Sequence, residues 1–273
     1  MFKKISVCLV IAFFILGGVH LAAAKETITG IGVKGVQDPI DKIARGFTKK
    51  NPAIEIKTKE EKGGVAIETI GKGTPGFNFG MITRPLDAKE KAAYPDMKAF
   101  LFAKDGVAIV VHPNNPVKGL TSAQIRDIYT GKVTNWAQVG GKKGTITMLF
   151  REKGAGQRAA FEEAVMGAEK VAVTKGREIG SMGAMKTEVG LDESAIGYIL
   201  ISAVDKSVKA LELDGKAATL DNVKAGAYVV TIPLYLITKG EPKGATKTFI
   251  DYLMGPEGQM AVQKEKLAPA AKK

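Results

Sequence analysis

Arg151, Gly154, Gly156 and Gln157 are the residues whose types and spacing best fit a chemistry, and that chemistry is anion binding. They sit in Thr145–Glu163, which reads TITMLFREKGAGQRAAFEE. Thr145–Phe150 alternates and then turns apolar, as a short buried strand does. Gly154 and Gly156 punctuate a tight turn, and Ala160, Phe161, Ala164 and Val165 follow at helical spacing. Strand, glycine turn and helix would bring Arg151 next to a helix N-terminus. The first turn of a helix has free N–H groups and a positive dipole end. Glycine lets a ligand approach that backbone, and a guanidinium fork matches an oxyanion. The same residues also suit a plain strand-to-helix turn with a surface arginine, and the motif is not a Walker loop.

Composition narrows the classes. Lys3 and Lys4, the apolar run Ile5–Leu21 and Ala22-Ala23-Ala24 form a secretory signal, so the mature chain is expected to begin at Lys25. Cys8 lies too early in that run to carry a lipid at the cleavage point, and no lipid anchor is expected. It is the chain's one cysteine, so disulfides, thiol catalysis and thiolate metal sites are excluded after cleavage. His20 leaves with the signal, and His112 beside Pro113 reads as a structural or surface residue. The poor supply of His, Cys and Ser argues against an exported enzyme such as a phosphatase. No cofactor is expected. Of the formal charge of +12, Lys3 and Lys4 carry two, leaving +10. Interspersed acids, a single Trp and export make nucleic acid an unsuitable partner; the surface is one that attracts small anions.

The elements that position these residues follow a repeating order. Thr27–Val33 reads as a strand, with a glycine-bearing loop to Pro39 and a helix carrying Ile40, Ile43, Ala44 and Phe47. Ile54–Thr58 is the next strand. Lys62-Gly63-Gly64-Val65 forms a second glycine loop before a short helix around Ala66–Ile70. Phe77–Met81 is a third strand, closed by Ile82-Thr83-Arg84-Pro85. Such alternation marks a wound, parallel α/β sheet. Ligands of these sheets sit outside the carboxyl ends of the strands, where Thr83 and Arg84 stand. Arg84 also suits a surface pair with a nearby carboxylate.

Further on, Asp105–His112 is an apolar strand. Leu120–Tyr129 is a helix with Thr121 and Gln124 as its capping box, and Trp136 reads as a packing anchor. Ser181 suits a cap for a helix carrying Ala184, Met185 and Val189. Ala195–Ile199, Lys209–Leu213 and Pro233–Thr238 read as strands, and Thr246, Phe249, Ile250 and Leu253 as a final helix.

Several stretches, taken in order, resemble the periplasmic phosphate-binding proteins of ABC importers. They are Asp105–Pro116 (DGVAIVVHPNNP), Leu120–Gly141 (LTSAQIRDIYTGKVTNWAQVGG), Arg151–Phe161, Ala195-Ile196-Gly197-Tyr198 and Pro233–Gly258. The resemblance implies a type II periplasmic-binding fold: two wound α/β lobes joined by two crossing segments, with the ligand in the cleft. The crossings would fall near Lys104–Val107 and Val229–Pro233. Lobe 1 would be 25–103 with 231–273, and lobe 2 would be 104–230.

The family's site residues carry over unevenly. Where the family keeps a Ser/Thr cluster in the first glycine loop, this chain has Lys34-Gly35-Val36; in the second loop it has Gly63-Gly64-Val65-Ala66. An Asp-x-Gly-Met-Ser-Ser-Arg pattern here reads Asn78-Phe79-Gly80-Met81-Ile82-Thr83-Arg84. Arg…Gly-Ser-Gly-Thr becomes Arg151…Gly154-Ala155-Gly156-Gln157. The resemblance therefore implies that Arg84 and Arg151 hold charge and that Thr83 and Gln157 orient the ligand. N–H groups at Gly35, Gly64, Gly154 and Gly156 would complete the site. Lys34 is either a charge supplied to the cleft or a surface lysine. The implied protein is a monomeric periplasmic receptor for phosphate or a similar small oxyanion, serving an inner-membrane ABC permease. The alternative is a relative that has lost phosphate binding and serves a sensor or partner.

Overall fold

The computed structural model describes residues 25–270, so the expected signal segment with Cys8 and His20 lies outside the described residues. The chain opens with β1 (Glu26–Gly32), α1 (Lys34–Lys50), β2 (Ile54–Glu60), α2 (Gly63–Lys72), β3 (Phe79–Ile82) and α3 (Ala88–Ala93). A long strand, β4 (Met97–Val111), leads to β5 (Gly119–Leu120), α4 (Ser122–Tyr129), β6 (Thr147–Arg151) and α5 (Gly156–Phe161), which continues as a π-helical turn over Glu162–Met166. Then come β7 (Arg177–Ile179), α6 (Met182–Leu191), β8 (Ala195–Leu200), β9 (Lys209–Ala210), β10 (Glu212–Leu213) and α7 (Leu220–Lys224). The chain closes with β11 (Thr231–Lys239), α8 (Gly244–Met254), α9 (Pro256–Lys264) and β12 (Ala268–Pro269).

The main sheet runs β2-β1-β3-β11-β4-β8-β6-β7, with β12 and β9 also paired to β4. β1 pairs in parallel with β2 and β3, and β6 pairs in parallel with β8 and β7. β4 belongs to both halves. Its residues Met97–Gly106 pair antiparallel with β11, and Val107–Val111 pair antiparallel with β8. Val107 to Val111 are fully buried, which is why this part of the strand reads as a continuous apolar run.

α1 packs Val36, Ile40, Ile43, Ala44 and Phe47 inward, a stripe at helical spacing. Burying each of the larger side chains is worth roughly 1.5–3 kcal/mol. Phe47 meets Phe249 and Tyr252 of α8 with ring centroids 5.3 and 5.1 Å apart, tying the start of the chain to its end. Phe47→Ala would cost about 3–5 kcal/mol and loosen that union.

Three readings of the sequence need correction. Pro39 does not start α1 but lies inside it, because the helix begins at Lys34. The cause is tertiary: Val33 N–H bonds the Met81 carbonyl, and Val36 and Gln37 N–H then close on the Val33 carbonyl. Pro39, inside the helix, has no N–H to give to the Gly35 carbonyl one turn back. The second glycine loop is likewise the first turn of α2, which starts at Gly63 rather than near Ala66. The strand placed at Asp105–His112 begins at Met97, since β11 supplies a partner for the earlier residues.

Candidate functional site

The carboxyl ends of β1, β2 and β3 converge with the start of α5. Gly32 ends β1 so close to β3 that a Cβ there would stand 2.0 Å from the Met81 carbonyl oxygen; only glycine fits. Glu61 N–H bonds the Gly32 carbonyl at 2.7 Å, bringing in the end of β2. A Cβ built on Gly63 would meet Val33 Cγ1 at 3.5 Å and Ile82 Cγ2 at 3.9 Å. From the other half of the sheet, Gly156 faces Thr83: a Cβ there would lie 3.1 Å from Thr83 Oγ1.

The helices that start here share a feature. α1, α2 and α5 follow Val33, Lys62 and Ala155, none of which caps its helix with a side chain. α3, α4, α6 and α7 are capped by Asp87, Thr121, Ser181 and Thr219, whereas α8 and α9, which follow Lys243 and Gly255, have no side-chain cap either. Lys34 and Gly35 N–H, and Gly63 and Gly64 N–H, have no acceptor among the described residues. Converging uncapped N-termini present donors and positive dipole ends to one place, where an anion is stabilised.

The side chains divide into free and occupied groups. Thr83 is half-buried at the end of β3, and its hydroxyl has no partner among the described residues. Gly154 has φ +96°, a left-handed turn that favours glycine and lets the chain double back into α5. Arg151 is buried at the end of β6, and its guanidinium is not free. Nε donates to Glu152 Oε2 at 2.9 Å and to the Ile179 carbonyl at 3.1 Å, and Nη2 donates to Glu152 Oε1 at 2.8 Å. Nη1 has a 3.4 Å contact to Gln157 Oε1, the weakest of these bonds. Gln157 is thus turned toward Arg151, with its amide nitrogen 3.8 Å from Met182 Sδ. Burial pushes the Glu152 carboxyl up, but the Arg151 hydrogen bonds, a backbone hydrogen bond and the charges of Arg151 and Arg158 together hold the group below the usual range.

Arg84 and Lys34 also have carboxylate partners. Arg84 makes a fork to Glu90, with 2.6 and 2.7 Å bonds, and its side chain is 49% exposed. Glu90 is meanwhile the N3 member of the Asp87 capping box on α3. The sequence left a nearby carboxylate open as a partner for Arg84, and Glu90 is that partner. Lys34 Nζ bonds Asp38 one turn along α1 at 2.7 Å and is 59% exposed. That bond, then the charges of Asp38, Glu60 and Asp41, raises the lysine's pKa. Sequence reasoning also passed over Glu152, although its adjacency to Arg151 was plain, and Arg158, whose Nη1 donates to the Arg151 carbonyl at 2.9 Å.

The PBP superfamily domain matches residues 20–257. The chain belongs to the PBP superfamily. Within that superfamily it is PstS-like: it is 30% identical to the phosphate-binding protein PstS of Bacillus subtilis (strain 168), over 88% of this chain and 79% of the relative. The structure resembles that of a putative phosphate ABC transporter substrate-binding protein with bound phosphate from Clostridium perfringens. The TM-score is 0.80 at 37% identity, covering 90% of this chain and 100% of that one. It also resembles an ABC-type phosphate transport receptor from Vibrio cholerae, with a TM-score of 0.75 at 31% identity over 89% and 100% of the two chains. The PBP fold is of type II, with two wound α/β lobes, as the resemblance implied.

Proposed function

We propose that this chain is an extracytoplasmic solute-binding protein of an ABC importer and that it takes phosphate or a similar small oxyanion. One observation carries the reading: the uncapped N-termini of α1, α2 and α5 come together near Thr83, with Arg151 at the head of the turn into α5. Solvation of those N–H groups by an oxyanion replaces the missing caps. The ligand would be held chiefly by backbone donors, at Lys34, Gly35, Gly64 and Gly156. Thr83 Oγ1 adds a hydroxyl and Arg151 its charge. Arg84 joins once it leaves Glu90, and Gln157 orients Arg151. Gly154 shapes the turn. In this reading Lys34 serves through its N–H, while its ammonium stays with Asp38.

The lobes of the proposed receptor are 25–103 with 231–273, and 104–230. The change of β4's partner from β11 to β8 between Gly106 and Val107 supports that division. Lobe closure would deliver the ligand to a permease, with the receptor acting as a monomer in the periplasm and doing no chemistry. No helix among the described residues is long and apolar enough to cross a membrane.

Calorimetric titration of ligand-stripped protein with phosphate, sulfate, arsenate, molybdate and tungstate tests the reading. Saturable heat with phosphate is expected, and silence with all five anions would refute it.

A further inference from the structure

We infer that Tyr198 is a positioning residue for the oxyanion site, fixing Arg151 without touching the ligand; the inference rests on the binding role proposed above. β6 pairs with β8 only at Thr147 and Met148, after which its partner is β7. No residue of β8 pairs in register with β6 beyond Met148. Tyr198 of β8 fills the gap: its hydroxyl accepts the Arg151 N–H at 3.0 Å. Without that oxygen a buried N–H would be orphaned beside the proposed ligand contact.

The same side chain also holds the helix that follows. Its ring stacks on Phe161 of α5 at 4.5 Å and 11°, and lies 6.0 Å from Tyr129. Tyr198 is fully buried, so neither contact competes with water. One residue therefore spans the strand end and the helix between which the glycine turn runs. Arg158 completes the grip from the other side. Its Nη1 donates to the Arg151 carbonyl, and its guanidinium lies 5.3 Å over the Phe150 ring. Both polar atoms of the Arg151 main chain are thus held by side chains from elements that fold around the turn. A site built from backbone donors depends on such fixing, because small displacements of an N–H weaken its bond to an anion.

Tyr198→Phe keeps the ring stack and removes only the acceptor. Phosphate titration well below the melting temperature separates positioning from stability, since affinity there is that of the folded protein alone. The dissociation constant for phosphate is expected to rise roughly 3- to 10-fold, in line with one displaced hydrogen bond. Arg158→Lys, which keeps the charge and loses the fork, is expected to act in the same direction and serves if Tyr198→Phe does not fold. A lower melting temperature with an unchanged dissociation constant in the folded variant would overturn the inference and leave Tyr198 a packing residue. If the unmodified protein takes no phosphate, the binding role itself fails, and the inference falls with it.

Discussion

Thr83 Oγ1 lies 3.1 Å from the point where a Cβ on Gly156 would stand, so the end of β3 and the first residue of α5 touch across the two halves of the sheet. An alanine would force the threonine hydroxyl to give way by a few tenths of an ångström. The φ of Gly156 is not left-handed, so alanine costs nothing in the backbone and favours the helix. Gly156→Ala is expected to keep or raise the ligand-free melting temperature while weakening phosphate binding about tenfold, or by about 1.4 kcal/mol. Paired thermal and calorimetric measurements check it; unchanged affinity would remove Gly156 from the site.

Arg151 brings charge to the turn but already holds Glu152. Arg151→Ala would leave that carboxylate beside the anion site without its partner. Two effects then act together, lost attraction and new repulsion, and a charged hydrogen bond alone is worth roughly 1.5–3 kcal/mol. The variant is expected to lose the phosphate-induced rise in melting temperature, which follows ligand occupancy. A full rise in the variant would show that Arg151 is structural only.

Glu90 competes with any ligand for Arg84. Glu90→Gln keeps a carbonyl to accept the Asp87 N–H and complete the capping box, but it removes the charge that holds the guanidinium. Phosphate affinity is expected to rise about threefold, since a half-exposed ion pair of this kind is worth ~0.2–1 kcal/mol. Affinity left at the original value would confine Arg84 to stabilising α3.

Asp105 is buried on β4 just before the strand changes partner, and it accepts from Gly106 N–H at 2.7 Å and from the Ser202 hydroxyl. Burial pushes its pKa up to about 6, against the opposing hydrogen bonds. The folded state therefore keeps a proton that the unfolded chain releases. This contribution to stability is complete below the ordinary aspartate pKa and is lost as pH rises through about 6. The change is on the order of 3 kcal/mol. Thermal unfolding between pH 4 and 7 should show the loss, and Asp105→Asn should flatten it. An equal slope in the variant would assign the dependence to other groups.

The amino-acid sequence by itself determined what local bonding decides. The Thr121–Gln124 box, the Ser181 cap and the buried Trp136 were legible because caps and packing anchors depend on residues a few positions apart or on a single bulky apolar side chain. The strand, glycine and helix order around Arg151 was legible for the same reason. The family could be read from the order of its motifs. Tertiary structure alone decided where α1 begins, because Val33 is anchored to Met81 on a strand far along the chain. It alone inserted β11 between β3 and β4 and so gave β4 its early residues. It also decided which cations are occupied. For Arg84 and Arg151 the sequence left open a ligand contact or a surface role, and packing sets Glu90 and Glu152 against them. A charge shows its sign in the sequence, but its partner is set by distance after packing, and over a few ångströms that distance separates a ligand contact from an internal ion pair.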